Sequence, residues 1–412
     1  MDKKQIIFHI DVNSAFLSWS AIRMLKEGYS EDIRNIPAVI GGDVERRHGI
    51  VLAKSIPAKK YGIHTAMPIV QALSRCPDLL VVPPDHYYYV SQSIELMELL
   101  KSFTPNIEQA SIDECYMDYT GISNTYDSPE EAAYAIKDKV KKKLGFTVNI
   151  GISDVKVLAK MASDFTKPDR VHTLYSHEIE EKMWPLPVED LFLAGKSTVK
   201  VLHKLGIVTI GDLANTPQDI LKSHLKSGGV RLHNFANGID DSTVNMHEED
   251  LKGVGNSTTL PKDYSDIDEI NKVLLFLADK VGGRLRRYNQ TAQTVAIEIK
   301  YNDFKRITRQ QPLNVATDSG REIYEVAKKL FEENWNQTPV RLLGIRTTNL
   351  LGGDDPKQLS FFDLEHVQKQ SKTPKPSHEK LKKLDQAIDS IKAKYGEDKI
   401  KRATFADQSK KE

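Results

Sequence analysis

The chain has 412 residues, 40% of them hydrophobic, which is enough apolar material for cores in three or more domains. Its 58 Lys and Arg against 57 Asp and Glu leave a formal net charge of only +1, no apolar run approaches the length of a membrane span, and the first residues lack the apolar stretch of a signal peptide. Cys76 and Cys115 are too few for a disulfide framework or a zinc site, so we expect a soluble, cytoplasmic protein without a membrane partner.

The first informative element is a strand that is followed at once by a helix. Residues 5–10 form an apolar, strand-like run that ends at Asp11, and residues 14–25 have apolar side chains at helical spacing with Ser14 near their start. A helix start presents unpaired N–H groups, which suit a triphosphate. This order predicts a carboxylate beside a phosphate-binding helix start.

A second acidic motif lies farther along the chain, where Asp113 and Glu114 follow the strand-like run 107–112. Taken alone, such a pair is more often solvated turn chemistry. If the two strands are neighbours, however, Asp11, Asp113 and Glu114 come together, and clustered carboxylates favour Mg²⁺. Two such ions promote an in-line phosphoryl displacement. The two motifs together therefore predict a divalent metal site.

The C-terminal half changes character several times. Residues 239–255 are acidic and irregular, whereas residues 280–309 carry eight basic residues against two acidic ones and include the alternating run 294–301. A sheet with basic residues on its exposed side suits a duplex backbone, although a solvated basic face is the alternative. Beyond Gly352, residues 358–362 form an apolar cluster in a polar context, residues 369–377 are polar and Pro-rich, and residues 379–395 have helical spacing.

The two acidic motifs resemble those of the Y-family translesion DNA polymerases, most closely the bacterial DNA polymerase IV type. Three further segments, 51–68, 151–168 and 193–207, resemble family motifs and follow in the family's order. The resemblance runs from about residue 5 to about residue 362. It implies an α+β multidomain fold with a right-hand polymerase architecture.

The resemblance also implies a division into domains. It predicts a mixed-sheet palm at 1–19 and 77–168, with a helix over 129–144 opened by Ser128 and Glu131. Small fingers occupy 20–76, and a helical thumb with a helix-hairpin-helix occupies 169–238. A linker at 239–255 leads to an α/β little finger at 256–352, which binds DNA. The tail, 353–412, holds a clamp-binding peptide and a helix.

For the active site, the resemblance implies that Asp11, Asp113 and Glu114 are catalytic and ligate two Mg²⁺ ions, for which Mn²⁺ can substitute. Val12 contributes its backbone carbonyl as a further metal ligand. Phe16 falls at the family's steric-gate position, where an aromatic ring clashes with a ribose 2′-OH. Without the flanking acid, Phe16 would be read as an ordinary core aromatic of an amphipathic helix.

The incoming nucleotide is expected to contact two lysines. Lys59 stands where the family usually has Arg, and Ile56 stands where it usually has Tyr, so the position keeps a positive charge but loses a guanidinium fork and a hydroxyl. Lys167, which precedes Pro168, matches a family lysine on the triphosphate. A solvated helix face is the alternative for Lys59, and a solvated lysine that complements the helix dipole is the alternative for Lys167.

Contacts to DNA and to a protein partner are implied farther along. Gly195 and Lys196 match the helix-hairpin-helix that holds a DNA phosphate, although Leu193 stands where a Gly is usual. The predicted DNA-binding residues of the little finger are Arg284, Arg286, Arg287, Lys305 and Arg306. The apolar cluster resembles the peptide that binds the replicative sliding clamp: Gln358, Leu359, Ser360, Phe361 and Phe362. Packing of that cluster on the little finger is the alternative.

The predicted function is template-directed extension of a primer past damaged template, by two-metal nucleotidyl transfer from deoxynucleoside triphosphates. The enzyme is expected to act as a monomer on primer-template DNA and to engage the clamp. A nucleotidyl cyclase also uses paired acids on two metals, but it has no need for the hairpin or the clamp-like peptide. A non-catalytic or weakly catalytic accessory subunit of a translesion complex is the remaining alternative, which Ile56 and Leu193 keep open.

Overall fold

The computed structural model describes residues 5–42, 49–122, 125–246, 250–352 and 378–396, without the side chains of 378–383 and 393. The described residues divide into two compact units, the first formed by 5–42 and 49–246 and the second by 250–352 and 378–396. Within these described ranges, no helix combines the length and the apolar character needed to cross a bilayer.

The first unit is built on a five-stranded mixed sheet with the strand order β5-β6-β1-β7-β8. Its strands are β1 (Ile7–Val12), β5 (Ile107–Gln109), β6 (Glu114–Asp118), β7 (Val148–Ser153) and β8 (Val171–Thr173). Both β1 and β7 are buried along their whole length, because helices cover the two faces of the sheet. The acidic end of β1 therefore lies at the centre of the sheet.

Alternation along β1 sends its side chains to two different layers. Phe8 and Ile10 pack in one core with helices α1 (Ala15–Lys26), α4 (His86–Lys101) and α5 (Pro129–Leu144). On the opposite face, Ile7 packs against α6 (Lys156–Asp164). Helix α5 has the predicted bounds, and the Oγ of its N-cap Ser128 accepts the backbone N–H of Glu131.

A smaller three-stranded sheet has the order β3-β2-β4, with strands β2 (Ala38–Gly41), β3 (Val51–Lys54) and β4 (Leu80–Val82). It packs with the short helices α2 (Ile56–Lys60) and α3 (Ile69–Arg75). Helix α1 is shared, since Trp19 and Ile22 belong to the core of the large sheet whereas Leu17 and Ala21 pack with the small one.

The remainder of the first unit is a helical cluster. Its helices are α7 (Ile179–Lys182), α8 (Lys196–Lys204), α9 (Ile210–Asn215), α10 (Gln218–Leu225) and α11 (Ser227–Ala236). Short 3₁₀ turns occur at Thr120–Ile122, Ser176–Glu178 and Val188–Asp190. Helix α6 is also part of this cluster, through Leu158 and Met161 among others.

The second unit is a four-stranded antiparallel sheet with the order β11-β10-β12-β9, one face of which is covered by helices. The strands are β9 (Gly253–Tyr264), β10 (Gln290–Tyr301), β11 (Arg306–Thr317) and β12 (Val340–Gly352). The helices are α12 (Ile267–Arg287), α13 (Gly320–Asn334) and α14 (His378–Tyr395). Helix α14 begins one residue before the stretch 379–395, for which the sequence predicts a helix, and ends with it.

Three elements differ from the predicted segment boundaries. Strand β4 falls within the predicted palm segment 77–168 but pairs in parallel with β2 in the small sheet. Strand β8 lies after residue 168 yet pairs with β7 in the large sheet. Strand β9 begins at Gly253, inside the predicted linker. In each case, pairing with a strand distant in sequence decides where the segment belongs, and local composition does not reveal it.

Candidate active site

The two acidic motifs meet at one end of the large sheet. Because β1 and β6 run antiparallel, Asp11 near the end of β1 lies directly opposite Glu114 at the start of β6. The backbone N–H of Val12 donates to the Asp113 carbonyl at 3.0 Å, which extends the pairing by one residue. The predicted neighbourhood of the two strands is therefore present.

Asp11 is a buried carboxylate next to a lysine. Its exposed fraction is only 6%, and Lys167 lies in direct contact with its Oδ2. Burial raises the pKa of Asp11 to about 7, and the nearby Lys167 opposes this rise. Lys167 also pairs with Asp164 at 2.8 Å. Asp11 therefore stands where an additional positive charge would stabilise its ionised form.

Glu114 is held by residues that sequence reasoning did not single out. Lys160 of α6 donates to its Oε1 at 2.6 Å, and the Nε2 of His9 lies 3.8 Å from its Oε2. His9 is fully buried, its Nδ1 is 2.8 Å from the Oγ of Ser163, and its Nε2 has no hydrogen-bond partner in the described part of the chain. Burial lowers the pKa of His9 well below its usual value, and Lys160 and Lys167 lower it further. His9 is thus a neutral imidazole behind Glu114.

Asp113 is half-buried, and its Oδ1 accepts the Ser111 hydroxyl at 2.7 Å. Each of the three carboxylates therefore has a different neighbour, and among the described residues no three acidic, His or Cys side chains are grouped closely enough to hold a metal. The ready-made three-carboxylate cluster expected from the sequence is not formed in this arrangement. The donor set still suits a hard divalent cation, since Asp11 and Glu114 lie opposite each other on neighbouring strands and each carboxylate contacts a lysine.

A cleft of about 450 Å³ opens beside these acids. Ile56 lines it together with most of the predicted site residues: Asp11, Val12, Phe16, Lys59, Asp113 and Lys167. The cleft thus brings the acidic motifs together with the helix start of α1 and with α2, as the sequence predicts for a nucleotide site.

Phe16 lies in this cleft in a fixed orientation. Its ring stacks on that of Tyr89, with the centroids 4.5 Å apart, and meets the ring of His86 edge-on. The hydroxyl of the buried Tyr89 lies in turn 2.7 Å from the hydroxyl of Ser20. Ser14 is the N-cap residue of α1 and adopts a left-handed conformation (φ 48°). Its position marks the start of the helix, but its hydroxyl makes no capping hydrogen bond.

The wall that carries α2 is basic and partly apolar. Ile56 is 60% exposed, and Lys59 is also exposed. Lys54, which the sequence analysis did not select, lines the same cleft from the end of β3. Burial lowers the pKa of Lys54, and the nearby Lys59 lowers it further.

The turn before α8 keeps the left-handed backbone conformation that a Gly at position 193 would favour. Leu193 has φ 68°, in the left-handed region where most residues are strained, and its side chain is half exposed. Gly195 is the N-cap residue of α8, and Lys196 opens the helix. The element before the turn is only the 3₁₀ turn Val188–Asp190 rather than a full helix. The substitution of Leu for Gly therefore strains the turn without removing it.

The predicted DNA-binding residues of the second unit fall on different surfaces. Arg306 is the first residue of β11, on the open face of the sheet, and pairs with Glu298 at 3.0 Å. Lys305 is exposed just before the strand. Lys300, directly opposite Arg306, and Arg346, opposite Ala296, lie on the same open face and were not selected from sequence.

Arg284, Arg286 and Arg287 instead occupy the last turn of α12, whose apolar side covers the opposite face of the sheet. Arg286 is largely buried, and its guanidinium binds Asp389 of α14 at 2.6 Å and the Asp318 carbonyl at 2.7 Å. These contacts raise the pKa of Arg286 despite its burial, which acts in the other direction. The arginine expected to bind DNA thus holds the tail helix in this structure, a partner that composition alone cannot reveal.

The predicted clamp-binding residues, Gln358 to Phe362, lie outside the described residues. Their role stays a prediction from the sequence.

Comparison with known proteins places this geometry in a family. Residues 10–164 match the impB/mucB/samB family, and residues 251–361 match the C-terminal domain of the same family. A DNA polymerase IV from Clostridium acetobutylicum is 44% identical over 99% of this chain and 100% of its own length. One from Alkaliphilus oremlandii is 39% identical over 97% and 98%, respectively. Among solved structures, a Y-family DNA polymerase chimera matches with a TM-score of 0.75 and 22% identity, over 84% of this chain and 99% of the chimera.

Proposed function

The chain belongs to the DNA polymerase IV family, and we propose on this premise which of its residues carry the reaction. It is a DNA-directed DNA polymerase of the translesion class, which extends a primer on template DNA from deoxynucleoside triphosphates. Nothing found in the comparisons supports a non-catalytic accessory subunit or a cyclase. The observation that carries the proposed site is the juxtaposition of Asp11 and Glu114 beside the cleft that Phe16 lines.

In the proposed reaction, the primer 3′-oxygen forms a bond to the α-phosphorus, and the bond from that phosphorus to the bridging oxygen of pyrophosphate breaks. Catalysis in this family depends on a divalent metal, and we propose Mg²⁺, which when bound lowers the pKa of the attacking hydroxyl and stabilises charge on the leaving oxygen. The oxygens that would hold it are the carboxylates of Asp11, Asp113 and Glu114 and the carbonyl of Val12. Mn²⁺ offers the same preference for oxygen ligands.

Residues around the carboxylates are proposed to position them and to supply positive charge for the triphosphate. Lys160 holds Glu114 in place through its hydrogen bond to Oε1, which fixes one carboxylate before substrate arrives, and the neutral His9 ring lies behind it. Lys167 balances the charge of Asp11 and also lines the cleft, where its ammonium would be a phosphate contact. Lys59 supplies a second positive charge from the opposite wall. These roles are proposed from their positions in the cleft.

Phe16 is proposed to select deoxyribose. Its ring is fixed by stacking on the buried Tyr89, so it cannot turn aside to admit a 2′-OH. A rigid aromatic discriminates by clash, which requires no favourable contact with the correct sugar.

DNA is proposed to be held by two elements that read no sequence. The start of α8, at Gly195 and Lys196, would bind a phosphate through backbone amides and one ammonium. The open face of the second unit's sheet offers Arg306, Lys300 and Arg346. Because Arg286 is engaged by α14, we do not assign it to DNA.

The enzyme is also proposed to have a protein partner. Residues Gln358 to Phe362 are proposed to bind the replicative sliding clamp as a short peptide, with the enzyme acting as a monomer in the cytoplasm. Burying apolar anchors such as Leu359 and Phe361 is worth roughly 1.5–3 kcal/mol each, enough for an exchangeable complex.

The double change Leu359→Ala with Phe361→Ala should leave clamp-free extension intact and remove stimulation by the clamp. Loss of both clamp-free activity and melting temperature would instead mean that the cluster packs on the protein.

The polymerase assignment is tested by primer extension with a defined template, four deoxynucleotides and Mg²⁺. Asp113→Asn and Glu114→Gln should each abolish extension while DNA binding, measured by filter binding on the same preparation, survives. Glu95→Gln is a matched control, because Glu95 is an exposed acid of α4 outside the cleft lining. Near-normal extension by both active-site variants would remove these acids from the mechanism.

A further inference from the structure

Two lysines converge on one wall of the cleft from different elements. Lys54 is the last residue of β3 and pairs in register with the buried Val39. The next residue, Ser55, is buried, and its hydroxyl accepts the Ala38 and Ala58 N–H groups. The backbone on both sides of Lys54 is therefore fixed to the small sheet. Lys59 reaches the same cleft from α2, one turn after Ser55.

These two ammonium groups have no countercharge in the described part of the chain. Neither Lys54 nor Lys59 makes an ion pair or a side-chain hydrogen bond there, whereas Lys167 across the cleft is paired with Asp11 and Asp164. The lowered pKa of Lys54 has two causes, burial and the proximity of Lys59. Two like charges held near each other in a partly buried position destabilise one another unless an anion lies between them.

Between the two lysines, the Ser55 hydroxyl is already engaged, because it accepts the Ala38 and Ala58 N–H groups and donates to the Ile36 carbonyl. Ile56 is the exposed side chain there, and it cannot donate a hydrogen bond. An ammonium is a compact point charge that tolerates several phosphate geometries, so two of them can substitute for more directional donors. Three lysines, Lys54, Lys59 and Lys167, line the cleft together with Asp11 and Asp113. A polyphosphate chain is the ligand whose charge and length suit several ammonium groups in one cleft.

We propose that Lys54 is a phosphate contact of the incoming nucleotide, acting with Lys59 on the part of the triphosphate that leaves as pyrophosphate. This inference rests on the proposed function, since it assumes that the cleft binds the nucleotide. It goes beyond that function by adding a residue that the sequence motif did not assign. Lys54 binds and positions the substrate, and it has no part in proton transfer.

The test is single-turnover insertion of one nucleotide, compared between the wild-type protein and Lys54→Gln. The apparent Kd for the nucleotide should rise about tenfold or more, as expected for a lost contact to a charged group, while the maximal rate changes much less. Lys54→Arg should recover most of the affinity. Lys60→Gln is the matched control, because Lys60 is an exposed lysine of α2 outside the cleft lining, and it should behave as the wild type.

A second readout does not depend on catalysis. Inorganic triphosphate should raise the melting temperature of the wild-type protein and of Lys60→Gln, and it should raise that of Lys54→Gln clearly less. Equal shifts in all three proteins, or an unchanged nucleotide Kd in Lys54→Gln, would overturn the proposal. Weaker primer-template binding with an unchanged nucleotide Kd would also overturn it, because Lys54 would then face DNA. If the wild-type protein itself inserts no nucleotide, the proposed function fails, a result distinct from all of these.

Discussion

Gly151 offers a sharp test of how the sheet positions the catalytic groups. A Cβ atom at this position in β7 would lie 2.0 Å from the Ala159 carbonyl oxygen and 2.4 Å from the Ser163 nitrogen, both backbone atoms of α6. The first distance is about 1.4 Å short of the 3.4 Å at which ordinary contact begins. Neither atom belongs to a side chain that can rotate away, so Gly151→Ala must push α6 off the sheet.

The magnitude follows from that displacement. Overpacking a well-filled core typically costs about 1–3 kcal/mol, and a clash with two backbone atoms of α6 places this change at about 3 kcal/mol or above. For a unit of this size, each kcal/mol lowers the Tm by roughly 2–4 °C, so a fall of about 6–12 °C is expected. Activity should fall further than stability explains, because α6 carries Lys160, whose ammonium is 2.6 Å from Glu114.

The assay is thermal unfolding of the wild-type protein and the variant, followed by primer extension well below both transitions. Gly121→Ala is the matched control, because a Cβ atom there meets nothing within 4 Å. The reasoning is refuted if both alanine variants unfold within a degree or two of the wild type. Full activity in a destabilised Gly151→Ala would separately show that the position of α6 does not govern Glu114.

Three further predictions concern single side chains. Phe16→Ala should raise ribonucleotide relative to deoxynucleotide incorporation in paired insertion assays, and an unchanged ratio would place the gate elsewhere. Lys160→Gln should raise the Mg²⁺ concentration for half-maximal extension by about 10–100-fold, the usual cost of losing a partner that orients a metal ligand; an unchanged Mg²⁺ titration would leave Lys160 with a packing role. Arg286→Ala should release the tail helix, seen as faster amide exchange in α14, without altering the salt dependence of DNA binding, whereas Arg306→Gln should reduce that slope by about 0.9. The opposite pattern for the two arginines would return Arg286 to the DNA-binding surface.

Much of the local structure could be predicted because its signals lie within a few residues. The apolar run before Asp11 and the helical spacing after Ser14 gave β1 and α1 nearly at their observed bounds. Ser128 marked the start of α5, since a serine hydroxyl there accepts a backbone N–H of the first turn. Facing strands with acids at their ends then brought Asp11 and Glu114 together, as expected from antiparallel pairing.

What the sequence did not reveal depends on partners far away along the chain. His9 shares its strand face with Asp11, two residues away, and that alternation is the signal that could have identified it. Lys160 looks like any lysine of an amphipathic helix until β6 lies beside it. Arg286 belongs to a basic run whose charge suggested DNA, yet a distant acidic pair on α14 decides its partner. Charge counted along a chain does not say which face of an element carries it.

Two helices of the first unit, α1 and α6, each pack in two cores, and this sharing affects how the unit unfolds. Helix α1 buries Trp19 against the large sheet and Leu17 against the small one, and α6 buries Ala159 against β1 while Leu158 packs in the helical cluster. Neither helix can unfold without exposing apolar surface in two cores at once. The cores that these helices join should therefore behave as a single cooperative unit, whose innermost amides exchange with solvent only when the whole unit unfolds. Function-bearing side chains on the two helices would share that protection, so the catalytic centre would persist until the unit itself is lost.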